Sequence, residues 1–207
     1  MFVGFSHVFP RLSFPALFSL IDSYSAEWQT EAAKRGLPNL KNTVSALATF
    51  DSKKNQELFA SMKVLSPEEL SSRSEIMYHS YIQQIHMEGN CQLDMVKTGI
   101  IPAVLADQKA TADAVAASAT KTTKEYVASK AAQVADLIQK TQALEAAIDA
   151  STGHGAEGAA HCLNKIVPAM NDVRAVCDSL ERVCDKNLWP FPTYEQLCYE
   201  HHFDVRL

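Results

Sequence analysis

A chain of 207 residues that is 47% hydrophobic and 21% charged has the profile of a soluble globular protein, not a disordered one, and is long enough to bury a substantial core. Its net charge of −5, with Lys and Arg scattered evenly, supplies no basic stripe to neutralise a phosphate backbone, so no nucleic-acid partner is expected. Cys91, Cys162, Cys177, Cys184 and Cys198 form no CxxC pair, and their odd number fits buried or idle thiols in a reducing compartment better than a disulfide framework.

The opening MFVGFSHVFPRLSFPALFSLI is apolar and aromatic. Pro10 and Pro15 break it short of the roughly 20 apolar residues that a membrane span requires and interrupt any secretory h-region. The single Arg11 gives an organellar transit segment poor support. What remains is a displaced piece of a larger fold.

From about residue 25 the pattern is helical nearly throughout, with no period-2 alternation, and the class read from it is all-α. SAEWQTEAAKR reads as a short helix ending at Gly36. LPNLKNTVSAL reads as irregular chain packed down by Leu37, Leu40 and Val44. A second short helix follows Asp51 and carries Leu58 and Phe59. At LSPEEL a strong start signal appears: Ser66 as N-cap, Pro67 at the first helical position and Glu69 placed to reach back to the cap N–H. The long helix that begins there has Met77, Tyr81 and Ile85 four apart, with Tyr78 and Ile82 beside them, which predicts a wide buried face. Leu93, Val96 and Ile100 continue it to Pro102, where the missing N–H and the clash with the preceding turn predict a kink.

Residues 103–150 form an Ala-rich arm without Gly or Pro, whose larger apolar residues are Val127, Val134, Ile138, Leu144 and Ile148. Its small side chains either let neighbouring helices approach closely or mark a thin, partly solvated arm. STGHGAEG, residues 151–158, ends the arm in a glycine-rich reversal. In the last long helix Leu163, Ile166, Met170, Val173, Cys177, Leu180 and Cys184 alternate by three and four, an a/d seam over about three heptads. The short loop makes the Ala-rich arm its antiparallel partner. Cys177 and Cys184 are thus expected in packing, not in chemistry, and Pro168 should bend the first turns. Near Leu188 the helix should end, and NLWPFPTYEQLCYEHHF should place Trp189, Phe191, Tyr194 and Leu197 on irregular backbone as a cluster that docks on a surface.

HMEGNC, residues 86–91, brings His86, Glu88 and Cys91 close in sequence and has the H-x-E of zinc deaminases, but the P-C-x-x-C that completes that metal shell does not occur. Two residues apart on a helix, His86 and Glu88 point about 200° from each other. Glu200, His201 and His202 are adjacent, not i, i+4, so they form no zinc face either. No G-x-S-x-G, Walker loop or GxGxxG occurs, and GHGAEG follows no strand, which argues against a phosphate cradle. No self-sufficient catalytic constellation is present in the sequence.

Three stretches, SAEWQTEAAKRGLPNLKNTVSAL, SPEELSSRSEIMYHSYIQQIHMEGNCQLDMVKTGIIPAV and NLWPFPTYEQL, resemble in order and spacing the C-terminal region of type III glutamine synthetases, over about residues 24–198. Between them the Ala-rich arm and the heptad helix match only in helical character. The resemblance implies an antiparallel helical bundle, with a long kinked helix and an Ala-rich arm, that extends an α+β catalytic core and helps brace a large oligomer. It implies that the parent enzyme makes glutamine from glutamate, ammonia and ATP with magnesium or manganese. Its metal and phosphate ligands lie upstream of everything matched, so no catalytic, cofactor-binding or metal residue is assigned here.

Residues 1–22 do not match, which suggests a truncated or misjoined product; 23–207 would be the helical domain. The expected partners are further copies or the catalytic core of a synthetase, with no membrane, in the cytoplasm or, left open, an organelle. An alternative is an independent helical module that binds synthetase subunits or another helical partner. A generic coiled-coil adaptor would leave RGLPNL and WPFP without a role. Within HMEGNC, Glu88 fits the family pattern while His86 and Gly89 depart from it, and the carboxylate is expected to meet an arginine or a helix end.

Overall fold

The structure, a computed structural model, describes residues 25–151 and 153–199. Residues 1–24, with the unmatched opening, and 200–207, with Glu200, His201 and His202, lie outside them. Among the described residues every regular element is helical, as expected, and no helix is long and apolar enough to cross a membrane. The chain divides at Asn42 and Thr43 into two compact units.

In the first unit, α1 (Ala26–Lys34) starts at Ser25, whose side chain accepts from the Trp28 N–H. It ends as the sequence predicts, at Gly36. The Gly36 N–H bonds Ala33 O and the Leu37 N–H bonds Ala32 O, with Gly36 at φ +71°, which makes a Schellman closure. Leu37 and Leu40 do not pack down as expected: they are 49% and 42% exposed, because the chain beyond the closure has no helical face to turn inward.

The second unit opens with α2 (Thr43–Phe50) and α3 (Lys53–Ser61). The residues taken as irregular chain from Thr43 onward are therefore helix, and Val44 and Leu47 pack near Tyr78 and Ala159. α4 (Pro67–Met95) begins as LSPEEL predicts. Ser66 accepts from the Glu69 N–H at 3.2 Å, and Glu69 accepts from the Ser66 N–H at 2.8 Å. The buried line on α4 runs through Leu70, Ser74, Tyr78, Ile85, Gly89 and Leu93. Met77, expected inside, is 41% exposed: residues four apart drift about 40° per step, so 77, 81 and 85 cannot all face one seam.

The kink at Pro102 takes the form of a π-helical turn, Val96–Ile100, that joins α4 to α5 (Ile101–Ala117) without a break. The Ile101 N–H reaches back to Val96 O, a longer closure than in an α-helix, and this wider turn makes room for a proline that cannot donate. The same device recurs at Pro168. Cys162–Ile166 is π-helical, the Val167 N–H bonds Cys162 O, and the turn links α7 (Gly155–His161) to α8 (Val167–Glu181).

The Ala-rich arm is not one helix. α5 stops at Ala117, and α6 (Lys121–Asp149) starts anew after Thr120, whose hydroxyl accepts from the Thr123 N–H while Thr123 Oγ1 accepts from the Thr120 N–H. Ser118 and Thr120 offer the backbone local partners that compete with the helix, and this was enough to reverse the chain without Gly or Pro. Residues 103–117 therefore extend the kinked helix, and 121–149 are its antiparallel neighbour.

On α6, Val134, Leu144 and Ile148 are buried as expected, with Leu137 fully buried beside them, while Val127 and Ile138 are only half-buried. The reversal after α6 is shorter than the glycine pattern implied, since Gly155 and Gly158 belong to α7. α6 and α8 pack along the predicted seam, where Ile166, Val173, Cys177, Leu180 and Cys184 are buried, but Leu163 and Met170 are only half-buried, and Cys162, not Leu163, fills the core before the π-turn. α8 ends at Glu181, not near Leu188. Cys184 sits on a tighter turn, where the Val183 and Cys184 N–H groups both bond Leu180 O, and Asp185 Oδ1 caps the Asn187 N–H at 2.9 Å. Trp189 and Phe191 pack on the core, so the tail docks as expected. It then forms a short helix, α9 (Tyr194–Tyr199), with Leu197 64% exposed.

Candidate functional site

HMEGNC lies in the middle of α4, and the side chains of His86, Glu88 and Cys91 part company. His86 Nε2 lies 2.8 Å from Ser151 Oγ, the hydroxyl just past the end of α6. Glu88 accepts from Gln84 Nε2 at 2.9 Å on its own helix and is exposed, so the expected arginine or helix end is not its partner. A neighbour one turn away suffices because the carboxylate is solvated. Cys91 is exposed and free. Gly89 has a packing reason: a Cβ there would stand 2.9 Å from Ile148 Cδ1 and 3.5 Å from Ile166 Cγ2, so the missing side chain lets α6 and the second π-turn approach α4.

A cleft of about 540 Å³ opens beside His86, lined by His79, His154, Ser151 and Gly153. Cys162, a partner of Ser151, is fully buried; burial raises its thiol pKa, against a weaker opposing pull from the hydrogen bond with Ser151. Such a thiol is a poor nucleophile at neutral pH. Among the described residues no three His, Cys, Asp or Glu side chains are grouped to hold a metal ion.

A second groove, of about 490 Å³, runs between α4 and α8 under the tail. Its floor is Val96 and Ile100 of the first π-turn, and Met170, Trp189 and Phe191 wall it. Gln92 Nε2 donates to Met170 O at 3.0 Å across it. Cys177 also lines it, but burial, helped by Asp178, pushes its thiol up to about 11, so it stays protonated. Phe191 rests on Gly99, where a Cβ would stand 3.3 Å from its ring. The groove is mostly apolar, with Asn171, Arg174, Asp178 and Glu181 of α8 also lining it.

Among the described residues the one feature of buried charge was missed from sequence. Asp107 on α5 and Lys130 on α6 are both 6% exposed and form an ion pair. Their signal was legible: each occupies a core-stripe position, Asp107 after Val104 and Lys130 before Val134, where a charge needs a partner.

Comparison with known proteins gives the region a lineage. The glutamine synthetase C-terminal domain family matches residues 20–119. In an alignment 193 positions long that covers 86% of this chain, the sequence is 35% identical to the type-3 glutamine synthetase of Dictyostelium discoideum. This chain is related to the C-terminal domain of glutamine synthetases. Two bacterial glutamine synthetases, from Butyrivibrio fibrisolvens and Bacteroides fragilis, are 24% and 22% identical in alignments 192 and 191 positions long that again cover 86% of the chain. The chain spans about a quarter of the length of these curated relatives, 26% of the first and third and 27% of the second. The likeness to the glutamine synthetase C-terminal domain and the all-α fold together support a helical, synthetase-like domain.

Proposed function

We propose that the chain is the helical C-terminal part of a type III glutamine synthetase, whose parent joins ammonia to glutamate with ATP. The observation that carries this reading is the 35% identity to the Dictyostelium type-3 enzyme, which covers 86% of the chain and so includes the Ala-rich arm beyond the family-matched 20–119. In this reading the helical bundle braces the enzyme: it packs against the catalytic core or further copies in a cytoplasmic oligomer. ATP and magnesium or manganese would be bound by that core, and the chain presented here contributes rigidity and contact surface.

A chimaera tests this reading directly. The matching quarter of the Dictyostelium enzyme is replaced by residues 24–199 of this chain, and assembly and glutamine formation are measured. The chimaera is expected to assemble and turn over, whereas one that folds but neither assembles nor makes glutamine would overturn the proposal. The chain alone, given glutamate, ammonia, ATP and magnesium, is expected to form no glutamine.

A second reading, an independent module that binds synthetase subunits, draws on the core of the unit from Thr43 onward, whose described members all belong to that unit. Under it, the isolated chain is soluble and co-purifies with intact synthetase. Under the first reading it does so only when the matching region of the synthetase has been removed.

A further inference from the structure

Among the described residues Asp107 and Lys130 make the one ion pair with both side chains buried. They also mark a boundary. On the core side, Ala103 and Val104 of α5 and Val134 and Leu137 of α6 are buried, whereas from Gln108 to Ser129 no residue is. The inward positions of that outer stretch, such as Thr111, Val115 and Val127, are only half-buried. The tip therefore reaches about 15 Å beyond the pair, at 1.5 Å per residue. Its two helical ends are shorter than the roughly 12–15 residues an isolated helix needs in water.

Lys130 is the hub that holds this tip. Besides Asp107, its ammonium donates to Thr111 Oγ1 at 3.3 Å, one turn outward on α5, and stands 5.7 Å from the centroid of the Tyr126 ring, one turn outward on α6. One cation thus ties both legs of the hairpin at its base. Removing its counter-charge leaves a buried ammonium uncompensated, which is strongly destabilising locally, whereas an apolar pair of similar volume is tolerated.

We infer that the Asp107–Lys130 pair is a latch. The hairpin 108–129 opens as a unit of its own while the bundle of α4, α8 and α6 from Lys130 inward stays closed, and the pair sets how often it does so.

Hydrogen exchange on the full chain, resolved by peptide, tests the latch. In the unaltered protein, amides of 108–129 should exchange through a sub-global opening, faster than those of α8. Asp107→Asn should accelerate exchange in 108–129 by about tenfold or more, with α4 and α8 unchanged within about twofold. The double variant Asp107→Leu, Lys130→Met should return the hairpin to at least its original protection.

Exchange of 108–129 only together with the core in the unaltered protein would overturn the inference. So would an Asp107→Asn effect that is absent or spread evenly over the bundle. If Asp107→Asn does not fold, the unaltered protein and the double variant still decide it: a hairpin that the double variant leaves less protected than the original refutes the latch.

Discussion

Gly158 faces Gly153 across the reversal between α6 and α7, and Gly158→Ala is the sharpest test of how that corner is built. In an unconstrained helix the change gains about 1 kcal/mol of propensity. Here the new Cβ would stand 2.6 Å from the Gly153 carbonyl carbon, closer still to its oxygen, and 2.9 Å from Ile82 Cδ1, where ordinary contact begins at 3.4 Å. Ile82 can swing aside, but the carbonyl is backbone, so the loop must move and carry Ser151 and His154 with it. Overpacking of this kind costs about 3 kcal/mol at the upper end of its usual range. The net loss is about 2 kcal/mol, or about 4–8 °C in Tm for a unit of this size. Urea unfolding followed by far-ultraviolet circular dichroism reads it as a lower midpoint at constant slope. A midpoint that is unchanged or raised would show that the two glycines are ordinary helix and loop residues and refute the close approach.

Three further outcomes follow from local geometry. Lys63 occupies the left-handed closing position after α3 at φ +56°, with its N–H on Ala60 O and the Val64 N–H on Phe59 O, so Lys63→Gly should raise stability by about 0.5–1 kcal/mol in the same urea assay. Ser66→Ala removes the cap of α4 and should lower it by about 1 kcal/mol. Cys177 gives a pH signature. Its thiol ionises near 9 in the unfolded chain and near 11 in the folded one, so the folded state holds the proton longer and its stabilising effect is complete below pH 9. That effect should be lost as the pH rises from 9 to 11, and the stability difference between the protein and Cys177→Val, flat below pH 9, should shift against the unaltered protein across that window. A difference that stays constant to pH 11 would contradict the burial of this thiol.

The sequence was most legible where one physical cause acted alone. Ser66, Pro67 and Glu69 declared the start of α4, Gly36 declared the end of α1, and the three-four alternation from Leu163 to Cys184 declared most of the seam with α6, with Leu163 and Met170 falling outside it, because capping and periodicity are local. It was least legible where two weak effects competed. Ser118 and Thr120 ended an Ala-rich helix that had no Gly or Pro, since side-chain bonds at Thr120 and Thr123 outweighed propensity there.

At the candidate site, spacing was enough to separate His86 from Glu88. Their partners, Ser151 and Gln84, were not predictable, because one depends on how α6 returns to α4 and the other on solvent exposure. The Asp107–Lys130 pair was written in the stripe but could be read only once α5 and α6 were known to be separate, antiparallel helices.

The two π-turns stand at matching places, each closing on an Ile, then Ile or Val, then Pro and Ala: Ile100 to Ala103 and Ile166 to Ala169. A π-turn is an α-helix that has taken in one additional residue without rotating what lies on either side. These two turns are therefore where the bundle can gain or lose a single residue with every buried face before and after still in phase. Elsewhere in α4, α6 or α8, a change of one residue would turn the rest of the helix by about 100° and carry its apolar stripe out of the core.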